Sequence, residues 1–166
     1  MKNFIKGFRF TPSNYPAAVE DKIQKYRKQG YKLPPRKVLR TPEQLEGIRE
    51  SAKINTALLD HIAEGMSTEE IDRLVYDFTT GHGAVPAPLN YEGFPKSVCT
   101  SINDVVCHGI PNKNEILKNG DIINVDVSTI YNGYFSDASR MFMIGDVSPE
   151  MRKLVQVTKE CMEIGI

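Results

Sequence analysis

The sequence predicts an α+β fold in which helices pack on an antiparallel sheet. After the N-terminal arm, two amphipathic helical segments come first, short β-rich pieces separated by turns follow, and another helix comes after them. Strands and helices do not alternate as they would in βαβ units, so the strands are expected to pair antiparallel. The 166 residues are 40% hydrophobic and 25% charged, which is typical of a globular protein. No apolar run approaches the ~18 residues of a membrane span, and no secretory signal is expected, which favours a cytoplasmic protein.

The first 40 residues form a basic arm. They contain eleven Lys or Arg and two acids, a net charge of +9, and the remaining residues carry the balancing −9. A helix is expected from about Ala17 to Gln29, with Gly30 ending it and an extended Pro-rich linker at 33–36. Such an arm could bind RNA or another anionic surface, or it could be a solvated leader. We therefore divide the chain into a basic arm with its linker, 1–40, and a body, 41–166.

Two helices are expected to open the body. Thr41-Pro42 is a good helix start, because proline suits the first helical position. Ser67 and Glu70 form a capping-box pattern for the second helix. The apolar residues at helical spacing are Leu45, Ile48, Ala52, Leu58 or Leu59 and Ile62 in the first helix, with Gly65 as its stop, and Ile71, Leu74, Val75 and Phe78 in the second, with Gly81 as its stop.

Residues 121–144, DIINVDVSTIYNGYFSDASRMFMI, predict a β-hairpin, because Asn132-Gly133 is a favoured two-residue turn. That turn pairs positions whose numbers sum to 265, which makes Asp126 and Asp137 diagonal neighbours with Cα atoms about 7–8 Å apart. A turn centred one residue earlier would place the two aspartates directly opposite. Both registers put both carboxylates on one face of the sheet.

Two carboxylates on one face need a compensating charge. A nearby Arg or Lys, a shared proton or a divalent cation could supply it, and a solvent-facing side of the sheet is the simpler alternative. Carboxylate oxygens suit Mn, Mg, Fe, Co or Zn without choosing among them. Two carboxylates cannot complete such a site, so further ligands would have to come from elsewhere.

The segment VVCHGIP at 105–111 places His108 at the expected end of a strand, a common position for an active-site side chain. The three cysteines are odd in number and form no CxxC pair, so they favour a reducing compartment and buried apolar roles. Ser148-Pro149 starts the last helix, with Leu154, Val155 and Met162 expected to face inward.

Residues 90–111, NYEGFPKSVCTSINDVVCHGIP, and residues 120–142, GDIINVDVSTIYNGYFSDASRMF, resemble type I methionine aminopeptidases. The resemblance extends over roughly 41–166, and residues 1–40 correspond to a variable N-terminal extension. It implies the pita-bread fold, two pseudo-symmetric halves of helices and curved antiparallel sheet around a dinuclear metal centre. This chain would be the N-terminal half.

The resemblance also implies roles for individual residues. Asp126 would chelate one metal ion and Asp137 would bridge both. His108 would contact the substrate near the scissile amide without binding metal. Tyr91, Phe94 and Cys99 would line the pocket for the methionine side chain, where an aromatic and sulfur lining suits a flexible thioether.

The implied reaction removes the N-terminal initiator methionine from nascent proteins whose second residue is small. Two divalent ions (Co, Mn, Fe, Zn or Mg) would activate a hydroxide that attacks the carbonyl. The resemblance further implies a cytoplasmic monomer that binds neither membrane nor DNA.

The family's remaining ligands, one His and two Glu, lie in a C-terminal half that this sequence does not contain. We therefore expect a truncated chain that binds metals weakly and hydrolyses nothing alone. The alternative is a non-catalytic pita-bread fragment or binding module that associates with the ribosome or RNA through its basic arm.

Overall fold

The structure, a computed structural model, describes residues 17–33, 40–62 and 64–166. The chain forms two compact units, Met1–Gly47 and Ile48–Ile166. In the first unit, α1 (Ala17–Lys28) lies where the sequence predicts it, and Gly30 follows it with a φ of +85°. The predictions for residues 1–16 and for residues 34–36 of the linker fall outside the described residues. Within the described residues, no helix is both long and apolar enough to cross a membrane.

The remaining elements confirm the α+β prediction. The helices are α2 (Pro42–Leu59), α3 (Thr68–Gly81) and α4 (Pro149–Gly165). The strands are β1 (Val85–Pro86), β2 (Cys99–Ile102), β3 (Ile122–Tyr131) and β4 (Tyr134–Met143), all paired antiparallel. Strand β3 is central, because β1 and β2 pair with successive parts of it and β4 pairs along its whole length.

The hairpin has the register that the Asn132-Gly133 turn predicts. Ile122 pairs with Met143 and Asp126 with Ser139, so paired positions sum to 265. Both turn residues have positive φ, +48° and +81°, as a tight hairpin turn of this kind requires. The two aspartates are therefore diagonal neighbours, not directly opposed.

One face of β3 forms the centre of the core. Ile123, Val125 and Val127 are fully buried, which accounts for the alternating sequence of this strand. The other members of this core cluster come from the helices and the loops around the sheet: Leu58, Leu59, Ile71, Val75, Val98, Leu117 and Ile144. Because this apolar face is stabilised by burial, the opposite face of β3 is free to carry polar residues.

A buried polar network also joins α2 to the hairpin. Asn55 donates to the Val127 carbonyl at 3.2 Å and lies 3.1 Å from Ser136 Oγ, and it accepts from Thr129 Oγ1 at 2.5 Å. Ser51 Oγ donates to the Thr129 carbonyl at 3.2 Å and lies 2.7 Å from Ser136 Oγ. Four buried polar side chains thus satisfy one another and fix α2 on the sheet.

The capping box of α3 is confirmed, since Ser67 Oγ accepts from the Glu70 amide and Glu70 accepts from the Ser67 amide. The prediction for α2 is partly wrong. The helix ends at Leu59 and not near Gly65, and Leu45 is 42% exposed. The exposure of Leu45 follows from the position of the buried face, which includes the polar residues Ser51 and Asn55 and is therefore not the most apolar side of the helix.

The inward face predicted for α4 is wrong for Leu154 and Met162, whereas Val155 is half-buried. The helix begins after Ser148 as expected, but it buries no residue, and Leu154 and Met162 are more than half exposed. The apolar roles predicted for the cysteines are wrong for Cys107 and Cys161, which are exposed, whereas Cys99 is half-buried. Cys107 is exposed because it lies in an open loop, and Cys161 is exposed because it lies on α4, which buries no residue.

Candidate metal and substrate site

Asp126 and Asp137 project from the face of the hairpin opposite the core. Asp126 is half-buried and Asp137 is exposed, and Asp137 accepts a hydrogen bond of 2.5 Å from Ser128 Oγ. Burial raises the pKa of Asp126, the negative charge of Asp137 raises it further, and His108 opposes both effects. The two carboxylates therefore repel each other.

Cys99 lies beside this pair because it is the cross-strand partner of Asp126. Burial, followed by the charges of Asp126, Cys107 and Asp137, raises the pKa of the Cys99 thiol to about 11. The side chain is consequently a neutral thiol near pH 7. It suits the lining of an apolar pocket and is a poor nucleophile, because the thiolate is the reactive form.

His108 does not lie at a strand end, which corrects the sequence prediction. Strand β2 ends at Ile102, and His108 sits in the following loop with a left-handed φ of +54°. Gly109 holds this loop against β2, where the Thr100 amide donates to its carbonyl at 2.9 Å. A Cβ at position 109 would meet the Thr100 carbonyl oxygen at 1.9 Å, so the approach requires glycine.

Sequence reasoning missed Gly109 as part of the site. The signal available was a glycine directly after the candidate histidine, in a segment that also ends in proline. The structure shows the physical use of that glycine, since it lets the loop that carries His108 pack closely on Thr100.

Tyr91 and Phe94 lie on the loop that leads into β2. Tyr91 begins a short 3₁₀ turn, Tyr91–Gly93, and is 67% exposed, while Phe94 is half-buried at its end. The charges of Asp126 and Asp137 act on the pKa of Cys99, and the charge of His108 acts on the pKa of Asp126. The two aromatic residues lie just before β2 in the chain.

The donor chemistry fits part of a divalent metal site. Two carboxylates are the hard oxygen ligands such ions take. Burial and their mutual repulsion raise the pKa of Asp126, and a cation would relieve the repulsion. Across the described residues, no group of three His, Cys, Asp or Glu side chains could hold a metal ion. Two clefts of about 470 and 260 Å³ lie at the start of α4 and beside α2, and neither includes the aspartates.

Comparison with known proteins identifies the family. The model of metallopeptidase family M24 matches residues 46–166. Methionine aminopeptidase A of Synechocystis is 50% identical over 127 residues, which are 74% of this chain and 50% of that protein. A methionine aminopeptidase of Rickettsia prowazekii is 52% identical over 109 residues, which are 66% of this chain and 42% of that protein.

Solved structures agree with the sequence comparison. The crystal structure of methionine aminopeptidase from Rickettsia prowazekii superposes with a TM-score of 0.71 at 45% identity, covering 77% of this chain and 53% of that one. The predicted pita-bread fold is thereby confirmed for the matched part. The chain spans about half the length of the curated relatives it matches. The match over residues 46–166 shows that this chain belongs to metallopeptidase family M24.

Proposed function

We propose that the protein is a methionine aminopeptidase, which removes the initiator methionine from nascent proteins whose second residue is small. The observation that carries the proposal is the pair of aspartates, Asp126 and Asp137, on the open face of the hairpin. It is supported by 45–52% identity to proteins named methionine aminopeptidase. These relatives do not favour the alternative of a non-catalytic binding module.

In this proposal the two aspartates contribute to a site for two divalent ions, with Asp126 chelating one and Asp137 bridging both. Such ions, when bound, supply Lewis acidity that polarises a carbonyl and lowers the pKa of water. The choice among Co, Mn, Fe, Zn and Mg is left open by carboxylate ligands alone.

The other residues act on the substrate. His108, which lies near enough to Asp126 to lower its pKa, offers a ring nitrogen to the scissile amide. Cys99, kept as a neutral thiol, and the rings of Tyr91 and Phe94 form the surface that the methionine side chain contacts. Burying that side chain excludes water and holds the N-terminus of the substrate in register with the aspartates.

We also infer that the protein is cytoplasmic and monomeric and that its basic arm binds the ribosome. The helix α1 supports the last point, because Lys22, Lys25, Arg27 and Lys28 are all exposed on it. Exposed lysines and arginines of this density favour binding to an RNA phosphate backbone.

The metal site is tested by calorimetric titration of Mn²⁺ into the chain. Because two carboxylates do not complete a site, we expect weak binding, and we expect Asp126→Asn to weaken it about tenfold or more. Asp77→Asn, which removes an exposed aspartate from α3, is the matched control and should bind as the unaltered chain does. Equal Mn²⁺ affinity in Asp126→Asn would refute the proposed ligand. Metal-dependent turnover of a Met-Ala peptide by the 166-residue chain would refute the incompleteness of its site.

A further inference from the structure

The loop from Asn90 to Val98, here called the pocket loop, has an unusual backbone. Asn90, Glu92 and Gly93 have positive φ values of +66°, +47° and +87°. Glycine adopts this region freely and asparagine tolerates it, but a glutamate there is strained. Strain of this kind persists only where the surrounding structure imposes it.

The hydrogen bonds inside the pocket loop do not account for its position. The Asn90 amide donates to the Phe94 carbonyl at 2.8 Å, and the Phe94 amide donates to the Tyr91 carbonyl at 2.9 Å. The Tyr91 amide donates to the Pro88 carbonyl at 2.9 Å. These bonds close the turn on itself, and they leave its placement on the protein to contacts elsewhere.

The end of the pocket loop is fastened to helix α3 by charged groups. Lys96 Nζ lies 2.5 Å from Glu69 Oε2 and 3.5 Å from Asp72 Oδ2. Asp72 uses its other oxygen to accept from the Ser97 amide at 2.6 Å. We call Glu69, Asp72 and Lys96 the anchor.

The anchor is shielded from solvent more than an ordinary surface ion pair. The side chains of Lys96, Glu69 and Asp72 are 20%, 33% and 15% exposed. The hydrogen bond to Glu69 raises the pKa of Lys96, and the charge of Asp72 adds to that effect against the opposing effect of burial. Directly beyond it, Ser97 and Val98 are buried, and Val98 belongs to the core cluster. The anchor therefore joins the strained turn to a rigid part of the protein.

We propose that Lys96 is a positioning residue, which together with Glu69 and Asp72 holds the pocket loop so that Tyr91 and Phe94 face an unbranched side chain such as methionine. The identity of that ligand rests on the proposed function, whereas the anchoring rests on the geometry alone. Breaking the anchor frees the end of the pocket loop from α3, and the two rings lose their fixed placement.

The first measurement is amide hydrogen exchange by NMR on the 166-residue chain. Lys96→Met removes the charge and keeps most of the unbranched side chain, and we expect it to accelerate exchange of the Asn90, Phe94 and Ser97 amides at least tenfold. Exchange in β3 and α4 should stay within twofold. Lys96→Arg should restore protection to within threefold, and Lys159→Met, which removes the exposed pair with Glu163 on α4, should leave the loop unchanged.

Loop exchange within twofold of the unaltered chain in Lys96→Met would overturn the anchoring. An equal acceleration throughout β3 and α4 would also overturn it, because it would indicate general destabilisation in place of local release.

The second measurement separates the anchor from the ligand. L-methioninamide and Mn²⁺ are titrated separately into the unaltered chain and Lys96→Met. We expect at least a fivefold loss of affinity for L-methioninamide with Mn²⁺ affinity unchanged within twofold, which a merely structural role would not produce. Equal losses for both would overturn the positioning role. If the unaltered chain binds no L-methioninamide while the exchange result holds, the anchor stands and the methionine pocket is refuted.

Discussion

The buried amide of Asn55 gives the sharpest test of how this fold is held together. Its side chain makes three hydrogen bonds, to the Val127 carbonyl, Ser136 Oγ and Thr129 Oγ1. A net hydrogen bond contributes about 1 kcal/mol, and a buried polar group left without a partner costs about 1–3 kcal/mol. Asn55→Ala leaves the Thr129 hydroxyl without its acceptor and opens a small void. We therefore expect it to lower the free energy of unfolding by about 3 kcal/mol, a large part of the roughly 5–15 kcal/mol typical of domains.

The measurement is urea unfolding followed by far-UV circular dichroism. With a slope of about 1.5 kcal/mol per M, a loss of 3 kcal/mol moves the midpoint down by about 2 M at constant slope. Thr56→Ala is the matched control, because Thr56 is the next residue on α2 and its exposed hydroxyl bonds only to carbonyls of its own helix. That variant should stay within about 0.5 kcal/mol. A loss below 1 kcal/mol in Asn55→Ala, or equal losses in the two variants, would refute the network as the clamp between α2 and the hairpin.

Two further predictions concern the site. Gly109→Ala places a Cβ 1.9 Å from the Thr100 carbonyl oxygen, so we expect a loss of about 2 kcal/mol or more in the same urea assay; unchanged stability would contradict the close approach. Burial and the charge of Asp137 raise the pKa of Asp126, so folding disfavours the carboxylate above that pKa, and the cost vanishes below the unfolded value of about 4. Asp126→Asn should therefore raise the Tm at pH 7 in EDTA, by a margin that shrinks as the pH falls toward 4. A constant margin from pH 7 to pH 4 would show that the effect is not titration.

The hairpin could be predicted residue by residue because local chemistry determines it. Asn132-Gly133 selects the turn, the turn sets the register, and the period of two assigns Asp126 and Asp137 to one face. The capping box at Ser67 is local in the same sense, since all of its groups lie within four residues. Such features need no knowledge of distant contacts.

Other features could not be predicted because their cause is distant in sequence. Asn55 is polar on a helix and would ordinarily face solvent, and only its partners 72 to 81 residues later explain its burial. Lys96 and Asp72 look like ordinary surface charges until the fold brings them together. The site role of His108 stays a prediction from its chemistry, and neither its left-handed φ nor the close packing of the neighbouring Gly109 on β2 could be predicted from local sequence.

The position of the aspartates explains how a strand can carry two charges that repel. Each of them occupies an outward position of a hairpin whose ten pairs are complete from Ile122 to Tyr131. The inward residues Ile123, Val125 and Val127 are fully buried, so the stability of the strand comes from the face opposite the aspartates. Burial and this repulsion therefore raise the pKa of Asp126 without breaking the sheet. Under the proposed function a bound cation would relieve this repulsion, so the same aspartates that weaken the metal-free fold would favour metal binding.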